Sequence, residues 1–87
     1  MSRTDDSALP EVTFYTKAGC HLCDDAREML EEVASRGVEY LLTERDIRSD
    51  EALFERYRYR IPVIMIDQEE VLEGRIELAD VEQAFGL

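Results

Sequence analysis

The chain has 87 residues, of which 21 are acidic and 10 are Lys or Arg, so its formal net charge is −11. This length predicts one domain with one modest core, and a hydrophobic content of 45% argues against wholesale disorder. The acidic residues are scattered along the chain, so the surface should repel nucleic-acid phosphates and anionic lipids, and we expect neither as a partner.

Residues 1–10 are polar and predict a flexible N-terminal arm, which leaves residues 11–87 as the folded domain. The arm lacks the apolar stretch of a secretory signal peptide, and no apolar run in the chain reaches membrane-spanning length. We therefore expect a cytoplasmic protein, in a compartment where thiols are kept reduced.

Alternating β-branched and aromatic residues predict strands, and apolar residues at helical spacing predict helices. The long helix should end before Gly37, whereas no residue before the last helix is a strong N-cap. Strands joined through a helix should be parallel and the last pair antiparallel, so the order βαβαββα predicts an α/β fold with a four-stranded mixed sheet and three helices. The predicted elements are strand 12–15, helix 22–35, strand 38–47, helix 51–59, strand 63–66, a turn at 67–70, strand 71–72 and a C-terminal helix.

Both cysteines lie in one short stretch, Cys20-His21-Leu22-Cys23, between the first strand and the first helix. A C-x-x-C in this context is typical of redox motifs. The first N–H groups of a helix have no carbonyl partner and favour negative charge, so Cys20 should be held partly as the thiolate, the attacking species in disulfide exchange. We interpret Cys20 as the nucleophile and Cys23 as the resolving thiol of a dithiol–disulfide oxidoreductase.

Three other interpretations of the two cysteines are weaker. A structural zinc site wants four ligands, and the chain offers two Cys and one badly placed His21, although a metal or cluster shared between chains stays open. A structural disulfide would close a very small loop and constrain little of the unfolded chain. Two ordinary buried thiols would leave the flanking strand and helix unexplained.

The chain resembles a glutaredoxin, within the thioredoxin-fold superfamily, and most of all the short glutaredoxin-like proteins of bacteria and archaea. The resemblance runs from about Val12 to Gly86 and implies a thioredoxin fold. The matching residues are Phe14-Tyr15-Thr16-Lys17, Cys20 with Cys23, Ile61-Pro62-Val63 and Gly74.

By this resemblance Cys20 and Cys23 are the catalytic residues, and Lys17 lies near the thiolate and a glutathione carboxylate. Pro62 matches the family's cis-proline, and the backbone of Ile61 is expected to pair with the bound substrate as an added strand would. Gly74 and Arg75 belong to the segment that contacts the glutathione amine and carboxylate, and they complete the predicted substrate-binding set.

The chain departs from the glutaredoxin pattern at three places. It has His21-Leu22 where glutaredoxins usually have Pro-Tyr, Arg60 where they have Thr, and Glu73-Gly74-Arg75-Ile76 where they have Gly-Gly and an Asp. The last segment normally holds glutathione, so a thioredoxin-like reductase of protein disulfides is a competing interpretation.

The charged residues of the motif have two interpretations each. Lys17 should favour the thiolate of Cys20, whereas Asp24 and Asp25 should oppose it, so we expect a less acidic Cys20 than in a glutaredoxin without these acids. His21 is interpreted as a solvent-facing residue rather than a proton shuttle. Arg60 and Arg75 either face the groove and bind a substrate carboxylate or pair with nearby acids such as Glu73.

The expected function is therefore reduction of protein disulfides or glutathione mixed disulfides, with a thiol or a reductase as electron donor. We expect a monomer without a cofactor or metal, for which glutathione is an alternative co-substrate. The alternative class is a non-enzymatic thioredoxin-like binding module, or a carrier of a metal or iron–sulfur cluster held through the cysteines.

Overall fold

The computed structural model describes residues 9–87, so the predicted arm lies outside the described residues except for residues 9 and 10. The elements are β1 (Glu11–Thr16), α1 (His21–Ser35), β2 (Leu41–Asp46), a 3₁₀ turn (Ile47–Ser49), α2 (Glu51–Tyr57), β3 (Val63–Ile66), β4 (Glu69–Glu73) and α3 (Leu78–Ala84). In residues 9–87 no helix has both the length and the apolar character needed to cross a membrane.

The four strands form one sheet in the order β2-β1-β3-β4. β1 is parallel to β2 and antiparallel to β3, and β3 is antiparallel to β4. The predicted mixed sheet with three helices is confirmed, and it is a thioredoxin fold. Because β1 runs antiparallel to β3, the end of β1 and the start of β3 lie at the same edge of the sheet, where Tyr15 pairs with Val63.

The core consists of two apolar clusters, one on each face of the sheet. Alternation along β1 produces this division, since Val12 and Phe14 belong to the larger cluster and Tyr15 to the smaller one. The larger cluster joins the sheet to α1 and α3 through Val12, Phe14, Cys23, Ala26, Leu30, Val33, Ile64, Ile76 and Val81. The smaller cluster joins the other face to α2 through Tyr15, Ile47, Tyr57 and Val63.

The second strand is shorter than predicted, because it begins at Leu41 and not at Val38. The N–H of Val38 donates to the Val33 carbonyl at 3.3 Å, and the Tyr40 hydroxyl donates to the Leu30 carbonyl at 2.7 Å. Residues 38–40 therefore pack against the last turns of α1, and the chain enters the sheet only after them.

The second helix is also shorter than predicted and ends at Tyr57. The N–H groups of Arg60 and Ile61 both donate to the Tyr57 carbonyl, at 2.8 and 3.1 Å. In a continued helix the Tyr57 carbonyl would accept only the bond from the residue four positions later. The additional bond from Arg60, three positions later, tightens the chain into a turn before Pro62.

The turn between β3 and β4 has two residues, not the predicted four. Asp67 and Gln68 have φ values of 52° and 73°, the pattern of a type I′ hairpin turn. The Asp67 side chain also accepts a hydrogen bond from the Glu11 N–H at 2.9 Å. The predicted turn includes Glu69 and Glu70, but both belong to β4, which is an edge strand and is exposed to solvent.

The last helix is capped in a way that residue preferences alone missed. The Asp80 carboxylate accepts a hydrogen bond from the Glu77 N–H at 3.1 Å, which satisfies a backbone donor at the helix start. The helix ends at Ala84, short of the C-terminus to which it was predicted to extend.

Candidate active site

The two cysteines lie where β1 ends and α1 begins. Cys20 is the N-cap of α1, with extended backbone angles of φ −101° and ψ 108°. Cys20 and Cys23 form a disulfide with their Cα atoms 5.2 Å apart. Cys23 is completely buried in the larger cluster, whereas Cys20 is only partly buried at its margin. The two sulfur atoms therefore differ in access, and Cys20 is the one on the solvent side.

The helix start is directed at the Cys20 sulfur. The N–H of Cys23, one of the free donors of the first helical turn, points to the Cys20 Sγ at 3.1 Å. A donor and a helix N-terminus both favour negative charge on the sulfur once the disulfide is reduced. The arrangement predicted from the sequence, a sulfur at the helix start with its partner in the first turn, is present.

The loop before β3 lies at the same edge of the sheet as the cysteines. The Ile61–Pro62 peptide bond is cis, as the resemblance implied, and Pro62 is fully buried. Ile61 and Cys20 both pack against the larger cluster. The predicted proline loop and the dithiol thus lie at the same edge of the sheet and border the same cluster.

Gly74 fixes the shape of this proline loop. Its N–H donates to the carbonyls of Arg60 at 3.1 Å and Pro62 at 2.8 Å, and its φ of 72° is a conformation that favours glycine. Gly74 was predicted to bind substrate, but in the structure its N–H is engaged in holding the loop.

The backbone of Ile61 is only partly available for the role that the resemblance implied. Its N–H already donates to the Tyr57 carbonyl at 3.1 Å. An added substrate strand would therefore pair with the Ile61 carbonyl and not with both backbone groups.

Arg60 pairs with nearby acids and does not face the groove as a free cation. Its guanidinium lies 2.8 Å from Glu73, forms a second, short contact with Glu70, and lies 5.1 Å from the centre of the Tyr57 ring. The hydrogen bond from Arg60 lowers the pKa of Glu70, which also accepts a bond from the Tyr57 hydroxyl at 2.9 Å. Of the two interpretations of Arg60, ion pairing is the one that the structure supports.

Lys17 and Arg75 differ from Arg60, because neither has a carboxylate within ion-pair distance in residues 9–87. Arg75 is exposed and follows Gly74. Lys17 lines an open cleft of about 480 Å³ beside the cysteine loop. Its walls are formed by Thr16, Lys17, Ala18, Asp24, Arg27, Glu44 and Asp46.

Arg27 is the residue of this region that the sequence did not single out. Its guanidinium lies 3.0 Å from the Asp24 carboxylate and 2.5 Å from that of Glu44. The Asp24–Arg27 spacing could have indicated an ion pair on the helix surface. The Glu44 contact joins α1 to β2 and depends on the tertiary fold.

The remaining predicted residues lie on the surface of α1. His21 is exposed at the first helical position, in keeping with its interpretation as a solvent-facing residue, and Asp25 is exposed as well. Within residues 9–87 no three His, Cys, Asp or Glu side chains are grouped closely enough to hold a metal ion.

The fold and the cysteine geometry define a thioredoxin-fold protein with a C-x-x-C disulfide at the start of its first helix. The chain belongs to the family described as "Glutaredoxin-like domain (DUF836)", whose profile matches residues 11–86. The predicted glutaredoxin-like membership is confirmed, and it covers nearly all of the described chain.

Two relatives support this assignment. The chain is 28% identical over 71 residues to a "Glutaredoxin-like protein YDR286C homolog" of Dictyostelium discoideum. That match covers 76% of this chain and 66% of the relative, so the chain spans just under two thirds of the relative's length. A Northeast Structural Genomics target protein from X. campestris is 27% identical with a TM-score of 0.69, covering 84% of this chain and 92% of that one.

Thioredoxins share the fold at lower identity. A mutant thioredoxin from Halobacterium salinarum has a TM-score of 0.65 at 17% identity, covering 95% of this chain and 77% of that one. The oxidised thioredoxin of Plasmodium falciparum has a TM-score of 0.63 at 12% identity, covering 98% of this chain and 88% of that one. These likenesses concern the fold alone.

Proposed function

We propose that the protein is a thiol–disulfide oxidoreductase in which Cys20 is the nucleophile and Cys23 the resolving thiol. The observation that carries this proposal is the unequal placement of the two sulfurs. Cys20 lies at the helix start, partly open, with the Cys23 N–H directed at it, and Cys23 is buried behind it. One thiol is thus suited to meet a substrate and the other to an intramolecular attack.

The reaction is two successive thiol–disulfide exchanges. The Cys20 thiolate attacks one sulfur of the substrate disulfide, forms a mixed disulfide and expels the other substrate sulfur as a thiolate. The Cys23 thiolate then attacks the Cys20 sulfur, which breaks the mixed disulfide and releases the second substrate sulfur. The substrate gains two electrons and the protein is left with the Cys20–Cys23 disulfide. An external thiol such as glutathione, or a reductase, returns it to the dithiol.

The substrate class is a protein disulfide or a glutathione mixed disulfide, bound along the proline loop. The carbonyl of Ile61 would accept a backbone hydrogen bond from the substrate, as in strand addition. Lys17 and Arg75 are unpaired in residues 9–87 and are suited to bind substrate carboxylates, whereas Arg60 is occupied by Glu73 and Glu70.

The test is turnover of two substrates by the purified protein: insulin disulfides, and a peptide carrying a glutathione mixed disulfide. We expect reduction of at least one of them, and loss of that activity in Cys20→Ser. Cys23→Ser should accumulate a covalent adduct with the substrate, visible as added mass that dithiothreitol removes.

If neither substrate is reduced and Cys23→Ser forms no adduct, the proposal is wrong. The non-enzymatic binding module would then be the better account of the fold. Absorbance in the visible range of freshly purified protein would instead point to a cluster held between chains.

A further inference from the structure

We propose that Arg27 is a positioning residue that protects the negative charge of Cys20 from the neighbouring Asp24. The inference rests on the proposed function, because it concerns the thiolate that the proposed reaction needs. It refines the expectation that Asp24 and Asp25 both make Cys20 less acidic.

Helix geometry places Asp24 near the nucleophile. Asp24 follows Cys20 by four residues, and its N–H donates to the Cys20 carbonyl at 3.1 Å, the first helical bond of α1. Asp24 therefore lies in the first turn of the helix whose N-cap is Cys20. An unpaired carboxylate at this position would repel a thiolate at Cys20 and raise its pKa.

Arg27 keeps the Asp24 carboxylate engaged. One guanidinium nitrogen, Nη1, lies 3.0 Å from Asp24, while Nη2 and Nε lie 2.5 and 3.3 Å from the two oxygens of Glu44. The guanidinium also packs over the ring of Phe14, with its central carbon 5.5 Å from the ring centre. Phe14 has no solvent exposure. Held from β1 and β2, Arg27 can fix Asp24 in one direction and offset its charge.

The other charged groups around the cysteines differ from Asp24 in this respect. Lys17 comes from the loop, His21 and Asp25 from α1, Asp46 from β2 and Arg75 from the segment after β4. Asp25 has no basic partner within ion-pair distance in residues 9–87, whereas Asp46 has a long contact of 3.9 Å with Arg48. Of the two acids that directly follow Cys23, Asp24 is therefore the one with a basic partner.

The experiment titrates the Cys20 thiolate by its ultraviolet absorbance in a Cys23→Ser background, which isolates one thiol. We expect Arg27→Gln to raise the Cys20 pKa by about half a unit, because the Asp24 carboxylate then loses the cation that offsets its charge. In an Asp24→Asn background the same change should shift the pKa by less than half as much, because the carboxylate that Arg27 offsets beside Cys20 is then absent and Arg27 pairs with Glu44 alone.

The matched control is Arg36→Gln. Arg36, the C-cap of α1, also bridges two carboxylates, Glu32 of α1 at 3.0 Å and Glu82 of α3 at 2.6 Å, but it lies at the opposite end of α1 from Cys20. The substitution changes the net charge equally, so an unchanged Cys20 pKa there shows that the effect of Arg27 is local. Arg27→Lys should recover part of the shift, since it keeps the charge but not the fork.

The rate of reaction with a small disulfide, measured at a pH at least about one unit below the titrated Cys20 pKa, is a second readout. There the thiolate fraction should fall about threefold in Arg27→Gln, and the higher nucleophilicity of a more basic thiolate offsets part of this, which leaves about a twofold loss. If Arg27→Gln fails to fold, Arg27→Met keeps an apolar stem over Phe14 and serves the same purpose.

An unchanged Cys20 pKa in Arg27→Gln, or an equal shift with and without Asp24, would overturn the inference. Either result with normal substrate turnover leaves the proposed function intact. Absence of turnover in the unmodified protein would instead count against the proposed function, whatever the titration shows.

Discussion

At the scale of single residues, the two cysteines differ in burial, and this difference decides which thiol a reagent can reach. Cys23 packs in the larger cluster like a small apolar residue. Cys20 is the N-cap of α1 and lies on the solvent side of this cluster. Since a thiol reacts only where a reagent can reach it, we assign the first step of the proposed exchange to Cys20 and the second to Cys23.

This difference predicts the order of alkylation. In the reduced protein, iodoacetamide at neutral pH should modify Cys20 at least about tenfold faster than Cys23, because Cys20 is more accessible and more ionised. Peptide mass mapping after short exposures measures both rates. Cys20→Ser is the control, in which Cys23 should remain slow to react. Equal labelling of both thiols would contradict the assignment.

Arg60 is the second informative residue, because its ion pairs stabilise the proline loop against β4. Arg60→Gln should lower the free energy of unfolding by up to about 1 kcal/mol, the usual range for partly exposed pairs. The loss should be greatest near neutral pH. The pKa of Glu70 is lowered in the folded state by its hydrogen bond from Arg60, so this stabilisation is present above the ordinary pKa of 4.5 and disappears as the pH falls through the lowered value.

Denaturant unfolding of the two proteins at pH 7 and near pH 3 measures this difference. Arg45→Gln is a suitable control, because Arg45 is exposed on β2 and has no ion pair in the described part of the chain. A stability difference between the native protein and Arg60→Gln that stays the same at both pH values would show that Glu70 is not the relevant partner.

At the scale of elements, the two edge strands determine much of the surface. β2 is exposed along its whole length, and β4 carries three glutamates in five residues. Charged side chains on edge strands oppose pairing with another chain.

The β3–β4 turn contains a residue with a side chain in the left-handed backbone region, where glycine is favoured. Gln68 has a φ of 73°, which costs a residue with a side chain about 1–2 kcal/mol and costs glycine little. Gln68→Gly should therefore raise the free energy of unfolding by about 0.5 kcal/mol, after allowing for the greater freedom of glycine in the unfolded chain. Urea unfolding measures this change.

The control for this turn is Glu69→Gly, at the first residue of β4. It places the same flexible residue where an extended conformation is needed, so it should destabilise the protein. If both substitutions lower stability equally, the turn does not gain from glycine and its positive φ is not a source of cost.

At the scale of the whole molecule, the dominant property is the net charge of −11. Ion pairs use most of the arginines, as at Arg27, Arg36 and Arg60, but the excess of acidic residues leaves a net self-repulsion. Added salt should screen this repulsion over the distances between surface charges.

We therefore expect the melting temperature to rise when NaCl is increased from about 10 mM, where the Debye length is about 30 Å, to about 150 mM, where it is about 8 Å. Differential scanning calorimetry at neutral pH measures the change. A fall in the melting temperature over this range would show that the ion pairs, which salt weakens, outweigh the general repulsion.

The resemblance to glutaredoxins indicated the proline loop, and patterns in the amino-acid sequence were sufficient to predict the order of elements, the sheet of four strands and the redox motif. These features depend on short-range patterns: alternation in strands, helical spacing and two cysteines at the junction of a strand and a helix. The same patterns misplaced the ends of β2, α2 and β4, because those ends depend on contacts such as Tyr40 with Leu30.

Only the tertiary structure decided which charges meet. Arg27 joins Glu44 across 17 positions, and no local pattern distinguishes Glu44 from the other 20 acidic residues. Glu73 was named as a candidate partner of Arg60, but only the fold decided between that ion pair and a free Arg60 in the groove. An ion pair forms where the fold brings two charged side chains together. The fold itself results from burying apolar residues, and surface ion pairs contribute little to its stability.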